Sequence, residues 1–327
     1  MHHLFALRNL PKKGKKYNID RMPKLSVIIL SYALDDEVYQ MNTRCLDSLF
    51  ASEQWRDGEL EVLLIESNRT ATYQYDARVR IMIPEEKFGF HRFFNIGMDH
   101  TTGEFIAFCN NDILFQPNWW TAIKRVKEQN PKFMCFSPLD RSYPMMTEQE
   151  MPSTRDYYIG WENKRHFAAW CFVWERKVFD IIGSFDEVFD FYAADDDELQ
   201  TMHYYGIPNV LVTASEVKHL SQVVTNKVGI NKYRITDYER YPLSEFEIKR
   251  GYTWLWDDLR FYLAHRRFEH KWGNEWMRKR VNRLLDKYKF LNKRFVTRIL
   301  YNKWVNLLLA KLTGTTDPNP VYFKEND

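Results

Sequence analysis

Four runs of apolar, β-branched and aromatic residues, each stopped abruptly by polar ones, constrain this chain more than any other feature. Leu25-Ser-Val-Ile-Ile-Leu-Ser-Tyr32, Leu60-Glu-Val-Leu-Leu-Ile-Glu-Ser-Asn68, Val79 to Ile83 and Phe105 to Cys109 have the length and character of inner strands. Between the first two, from about Gln40 to Ser52, Cys45, Leu46, Leu49 and Phe50 recur at helical spacing. Strand and helix in alternation imply parallel strands joined by right-handed crossovers. In open sheets of that kind, ligands bind at the carboxyl ends of the strands, so the polar stops are where chemistry is expected. The second run delivers Glu66 and Asn68 into a loop, and the fourth ends on Asn110-Asn111-Asp112. Taken alone, that triplet fits an ordinary turn, because Asn and Asp dominate turns.

Between the third and fourth runs lies Lys87-Phe-Gly-Phe-His-Arg-Phe-Phe-Asn-Ile-Gly-Met98. Gly89 permits a tight backbone, and Phe93, Phe94, Gly97 and Met98 continue at helical spacing, with Asn95 projecting near the helix start. Farther on, Asp195, Asp196, Asp197 and Glu198 precede a stretch that reads as a helix closed by Gly206. Carboxylates at a helix amino terminus are favoured by the dipole, so this cluster fits both a solvated cap and a source of a catalytic base.

The order of these signals resembles the nucleotide-sugar domain of family 2 glycosyltransferases, in particular its rhamnosyltransferase-like branch. The likeness is carried by Ser-Val-Ile-Ile-Leu-Ser-Tyr32, Leu-Leu-Ile-Glu-Ser-Asn68, Phe-Gly-Phe followed by Asn-Ile-Gly97, Gly-Glu-Phe-Ile leading to Asn-Asn-Asp112, and Pro-Asn-Trp119. It continues through the acceptor-side segment Phe172 to Glu187, through Phe191-Tyr-Ala-Ala-Asp-Asp-Asp-Glu-Leu199, similar to a Glu-Asp-x-Asp-Leu motif, and through Val217-Lys-His219. The resemblance implies a GT-A-like, Rossmann-like α/β fold: a mostly parallel sheet flanked by helices over residues 24–230. It also implies inverting, metal-dependent transfer of a sugar from a UDP-, dTDP- or GDP-linked donor to a glycan or lipid-linked glycan.

The residues can be assigned on chemical grounds. A departing diphosphate needs a divalent cation, and oxygen ligands suit magnesium or manganese. Asp112 is the candidate carboxylate ligand and His219 a further one; direct ligation by imidazole favours manganese. Asn110 or Asn111 can bind ribose hydroxyls or a metal-bound water. By the resemblance, Ser31, Tyr32, Glu66, Asn68, Gly89 and Asn95 complete the expected donor side, with Tyr32 able to stack on a base. An acceptor hydroxyl needs a base, and the resemblance aligns Asp196 with it, leaving Asp195 and Asp197 one position away. His91 and Arg92 read as a surface pair able to approach the diphosphate; Trp170 and Trp174 fit either a sugar platform or the core.

The rest of the chain is organised around that domain. Four cysteines without a CxxC pattern, three of them in apolar surroundings, read as reduced core residues, which favours a reducing compartment. No stretch approaches 18 uninterrupted apolar residues, and no signal segment is evident; the expectation is a cytoplasmic protein, peripheral at most to the inner face of a membrane. The net charge is only +3, but it is uneven. Residues 1–23 form a basic arm, 231–312 a basic, aromatic-rich helical region, and 313–327 a disordered tail. Basic amphipathic helices with tryptophan can dock on the catalytic domain, lie on an anionic membrane or bind nucleic acid. The last would suit transfer to modified bases of DNA. A catalytically inactive, glycosyltransferase-shaped binding module is the alternative from another class.

Overall fold

The computed structural model describes residues 25–220 together with Ala264, Arg267, Phe268, Lys271 and Trp272. The basic arm, most of the carboxyl-terminal helical region and the tail lie outside the described residues. The elements are β1 (Leu25–Ser31), α1 (Asp36–Ala51), β2 (Leu60–Glu66), β3 (Val79–Met82), α2 (Phe90–Asp99), β4 (Phe105–Asn110), β5 (Ile113–Phe115), α3 (Trp119–Gln129), β6 (Cys135–Leu139), β7 (Tyr157–Ile159), β8 (Cys171–Glu175), α4 (Phe179–Ile182), α5 (Ala194–Tyr205) and β9 (Asn209–His219).

The strands form a nine-stranded sheet in the order β3-β2-β1-β4-β8-β6-β9-β5, with β7 also on β9. As the alternating pattern implies, β3, β2, β1 and β4 are parallel. Beyond β4 the sheet is mixed: β8 runs antiparallel to β4 and β6, β9 is parallel to β6, and β5 and β7 are antiparallel to β9. β1, β2 and β4 read as near-continuous apolar runs because both faces are covered, whereas β3 lies at the sheet edge with Arg80 and Ile81 exposed. On one face Val27, Ile29, Leu64 and Ala107 pack with Leu46 and Leu49 of α1 and Trp119, Ile123 and Val126 of α3. On the other, Ile28, Leu63, Ile65 and Phe108 pack with Phe93 and Phe94 of α2 and Leu199 and Met202 of α5. Gly97 lets α2 lie against the sheet, since a Cβ there would stand 2.7 Å from Ile28.

Helix α1 begins four residues before the apolar spacing suggests. Asp35 is the reason: its carboxylate accepts from Val38 N at 3.0 Å, satisfying one of the amide groups a helix start leaves unpaired. All four cysteines are buried free thiols. Among the described residues, no helix is long and apolar enough to cross a membrane.

Candidate active site

The carboxyl ends of β1, β2 and β4 are brought level by register, with Ser31 opposite Glu66 and Leu30 opposite Asn110. Glu66 is buried and fully used by its surroundings. Its carboxylate accepts from Ser31 Oγ at 2.7 Å, Ala33 N at 3.0 Å and Asn68 N at 2.7 Å. Asn68 Nδ2 donates to Ala33 O, and its Oδ1 accepts from Thr70. Asn42 of α1 extends the network, donating from Nδ2 to Ser31 Oγ at 2.8 Å and accepting on Oδ1 from Asn111 Nδ2 at 2.6 Å. Ser31, Glu66, Asn68 and Asn111 thus tie two strands, a loop and a helix together; Asn110, half-buried at the end of β4, keeps its side chain at the edge.

Asp112 is different. The turn after β4 leads into β5, whose pairing with the end of β9 sets Ile113 opposite His219 and so places His219 beside Asp112. His219 Nε2 lies 3.1 Å from Asp112 Oδ2, and Leu220 N donates to Asp112 O at 2.8 Å. The imidazole is flanked by Trp170, with ring centroids 4.8 Å apart and planes 5° from parallel. Its backbone N–H donates to Asp140 Oδ2 at 3.0 Å, while Asp140 Oδ1 accepts from Ser142. Asp112 Oδ1 is buried and has no hydrogen-bond partner among the described residues. A buried carboxylate oxygen without a partner is costly, and one beside an imidazole nitrogen is a donor set that suits a divalent cation. No group of three or more His, Cys, Asp and Glu converges as a complete cage among the described residues.

The other group of candidates is the first turn of α5. Ala193 takes the left-handed region, at φ 59°, and Asp195 to Glu198 follow. Asp196 is exposed and Asp195 half-buried; Asn163 Nδ2 donates to Asp195 Oδ2 at 2.8 Å and to Asp196 Oδ1 at 3.1 Å. Asp197 points inward instead. It is 3% exposed, receives Lys271 Nζ at 3.0 Å and Trp272 Nε1 at 2.6 Å, and is thereby removed from the candidate bases. Burial pushes its carboxyl up, with Lys271 and His91 opposing. Glu198 is buried against His91, with Nε2 3.3 Å from Oε1. Burial raises this carboxyl to about 7 against the pull of His91. Burial alone would lower the His91 imidazole, but its bond to Glu198 prevails and holds it above the usual value.

The polar groups expected on α2 each meet a partner within the fold. Gly89 caps α2 beside Asp190, whose carbonyl accepts from Phe90 N. Asn95 sits in the middle of the helix and clamps Phe185, giving Nδ2 to Phe185 O and taking Phe185 N on Oδ1, both at 3.0 Å. His91 is fully buried rather than at the surface, and only Arg92 stays partly exposed, paired with Glu187 at 2.9 Å. Trp174 belongs to the core, whereas half-buried Trp170 faces His219. Asp140, Asn163, Lys271 and Trp272 were not foreseen. Asp140 had a signal: it ends an apolar strand, Cys135 to Leu139, just as Asp112 follows β4. The other three meet the acids only through long-range folding.

Comparison with known proteins gives a family match. Residues 26–185 match the family described as Glycosyl transferase family 2. No curated protein matches the chain. Among solved structures, GalNAc-T7 with UDP, GalNAc and Mn2+ is similar at 14% identity and TM-score 0.48, covering 63% of this chain and 44% of its own. The mannosyltransferase PcManGT from Pyrobaculum calidifontis, in complex with GDP-Man and Mn2+, is similar at 14% identity and TM-score 0.49, covering 92% and 78%. S. aureus TarS 1-349 with UDP-GlcNAc is similar at 16% identity and TM-score 0.46, covering 62% and 60%. The chain therefore spans less than half the length of the first of these.

Proposed function

We propose, from the match of residues 26–185 to Glycosyl transferase family 2, that the chain moves a sugar from a nucleoside diphosphate donor to an acceptor hydroxyl, with inversion at the anomeric carbon. The observation that carries this reading beyond the family is the buried Asp112 Oδ1, without a hydrogen-bond partner among the described residues, beside His219. Asp112 and His219 would hold a divalent cation, and the nitrogen ligand favours manganese over magnesium. Such a cation, when bound, offsets the charge that collects on the departing diphosphate.

The chain's own residues supply the rest. Asn110, half-buried at the end of β4, is the residue assigned to the donor's hydroxyls. Trp170 fixes the plane of His219 by stacking and gives the corner a flat aromatic wall. Asp140 holds the His219 backbone from below. Asp196, exposed at the start of α5, takes the proton of the acceptor hydroxyl as that oxygen bonds to the anomeric carbon. The bond from that carbon to the diphosphate oxygen breaks on the opposite face, and its electron pair leaves with the nucleotide. The acceptor class we favour is a glycan or lipid-linked glycan.

The test is a thermal-shift panel of UDP, dTDP and GDP and their sugars, with and without manganese, on the natural chain and on Asp112→Ala. Ligand that binds only the native state raises apparent stability by mass action. The expected result is a manganese-dependent rise with one nucleotide, absent in Asp112→Ala. No rise with any nucleotide would overturn the reading in favour of an inactive binding module. Turnover with a DNA acceptor but no glycan would correct the acceptor class alone.

A further inference from the structure

The family match ends at residue 185, yet the acids of α5 are held from far beyond it. Ala264, Arg267, Phe268, Lys271 and Trp272 are helical, and their spacing of three and four residues puts them on one face. That face is seated on the acceptor-side loop and on α5. Phe268 meets Phe189 with ring centroids 6.3 Å apart, Trp272 meets Tyr204 at 5.8 Å, and Arg267 Nη1 donates to Val188 O at 3.3 Å. At its centre, Lys271 Nζ bridges Asp186 Oδ2 at 2.8 Å and Asp197 Oδ1 at 2.9 Å, and Trp272 Nε1 donates to the same Asp197 oxygen.

Four consecutive acids at one helix start repel one another, and inward-facing Asp197 cannot shed its charge into water. The charged groups gathered around this turn are Asp195, Asp196, Asp197 and Glu198 on α5, His91 on α2, Asp186 in the preceding loop, and Lys271. We propose that Lys271 and Trp272 are positioning residues for the acceptor-side base: by tying Asp197 and Asp186 together they lock the first turn of α5, leaving Asp196 outward. The inference rests on Asp196 being the base of the reaction proposed above. It gives the carboxyl-terminal region a catalytic duty directed inward, whatever its remaining basic residues bind.

The experiment uses the full chain and follows nucleoside diphosphate released from UDP-, dTDP- and GDP-sugars with manganese and water as acceptor, across pH. Turnover that needs an ionised base falls on the acid side as the base is protonated. Removing a nearby positive charge raises a carboxyl's pKa. Lys271→Met is therefore expected to move the acid limb up by about one pH unit, lowering turnover at a fixed pH on that limb about tenfold. The manganese-dependent thermal shift with nucleotide should stay as it was. Lys271→Arg, which keeps the charge and can still bridge the two acids, should return the limb toward its original place. A merely structural role would lower stability without moving the limb, and an unmoved limb in Lys271→Met overturns the proposal. If that variant does not fold, Trp272→Phe serves instead: it keeps an aromatic ring but removes the hydrogen bond to Asp197, and the limb must still move upward. No release by the natural chain from any donor overturns the proposed function and this inference with it; release with an unmoved limb overturns the inference alone.

Discussion

Two clusters of acids lie in this domain, and the fold holds them by opposite means. At the strand ends, Glu66 is compensated by neutral donors, one hydroxyl and two backbone N–H groups. On α5, Asp197 and Glu198 are compensated by charged or chargeable groups from other elements, Lys271 and His91. Each cluster also holds one acid of the proposed reaction: Asp112, with an oxygen that has no hydrogen-bond partner among the described residues, and Asp196, exposed at the start of α5. The difference teaches that acidity alone does not sort scaffold from chemistry in such clusters; the kind of compensation each acid receives has to be read as well. It also separates their physics, since a neutral donor adds no second titrating group, while a buried charge pair carries a desolvation cost and a dependence on pH.

The sharpest test of that sorting is Asp112 against Glu66. Asp112→Asn should lower manganese-dependent turnover by about 10³-fold, roughly 4 kcal/mol of lost charge stabilisation, while the thermal midpoint without ligand hardly moves. A loss of stability with turnover per folded molecule intact would put Asp112 on the scaffold side and break the comparison at its first term.

The α5 cluster makes the next largest prediction. Glu198 titrates at 4.5 as an isolated group and at about 7 in the fold, and His91 is also raised, from 6.5. In both cases the folded chain holds a proton that the unfolded chain has released. Stability must therefore fall as pH rises: from about 4.5 through about 7 on account of Glu198, and above 6.5 on account of His91. For Glu198 this amounts to something on the order of 3 kcal/mol. Urea denaturation at pH 5 and pH 8 reads it directly, and Glu198→Gln should flatten the difference. If the slope survives that substitution, the pH dependence belongs elsewhere and the contrast between the clusters fails.

Glu66→Ala should then cost about 2–3 kcal/mol in the same denaturation experiment, from three hydrogen bonds of which the donors are left buried. Turnover per folded molecule should stay within a few-fold. A thousandfold loss instead would show that Glu66 reaches the donor despite its full set of partners.

This sorting also explains what the sequence disclosed. The first four strands and their parallel pairing were legible because a buried parallel strand is apolar on both faces, a property of contiguous residues such as Val27 to Leu30. The polar stops were legible as positions, which is how Asp112 and His219 emerged, two residues that the β5–β9 pairing brings together. Their partners were not. Nothing near Glu66 in sequence reveals that Ser31 and Ala33 will satisfy it, and Asn95 looks the same in the chain whether it faces a ligand or the Phe185 backbone. Asp197 and Asp196 are neighbours with opposite fates because of Lys271, 74 residues on from Asp197. Capping was missed for a smaller reason: Asp35 lies outside the apolar repeat that marks α1.

Asp140 makes the finest distinction, because it sits at a strand end like Asp112 yet is satisfied like Glu66. Oδ2 takes the His219 backbone N–H and Oδ1 takes Ser142, so its expected duty is to set the height of His219 rather than to touch a ligand. Asp140→Ala should therefore lower stability by about 1 kcal/mol through the lost hydrogen bond to His219 and weaken the manganese-dependent thermal shift several-fold without abolishing it. Asp140→Asn, which keeps an acceptor oxygen, should recover most of both. Should Asp140→Asn abolish the manganese response as completely as Asp112→Ala, the charge of Asp140 would itself be needed, and the corner would hold its cation with two carboxylates and a histidine rather than one.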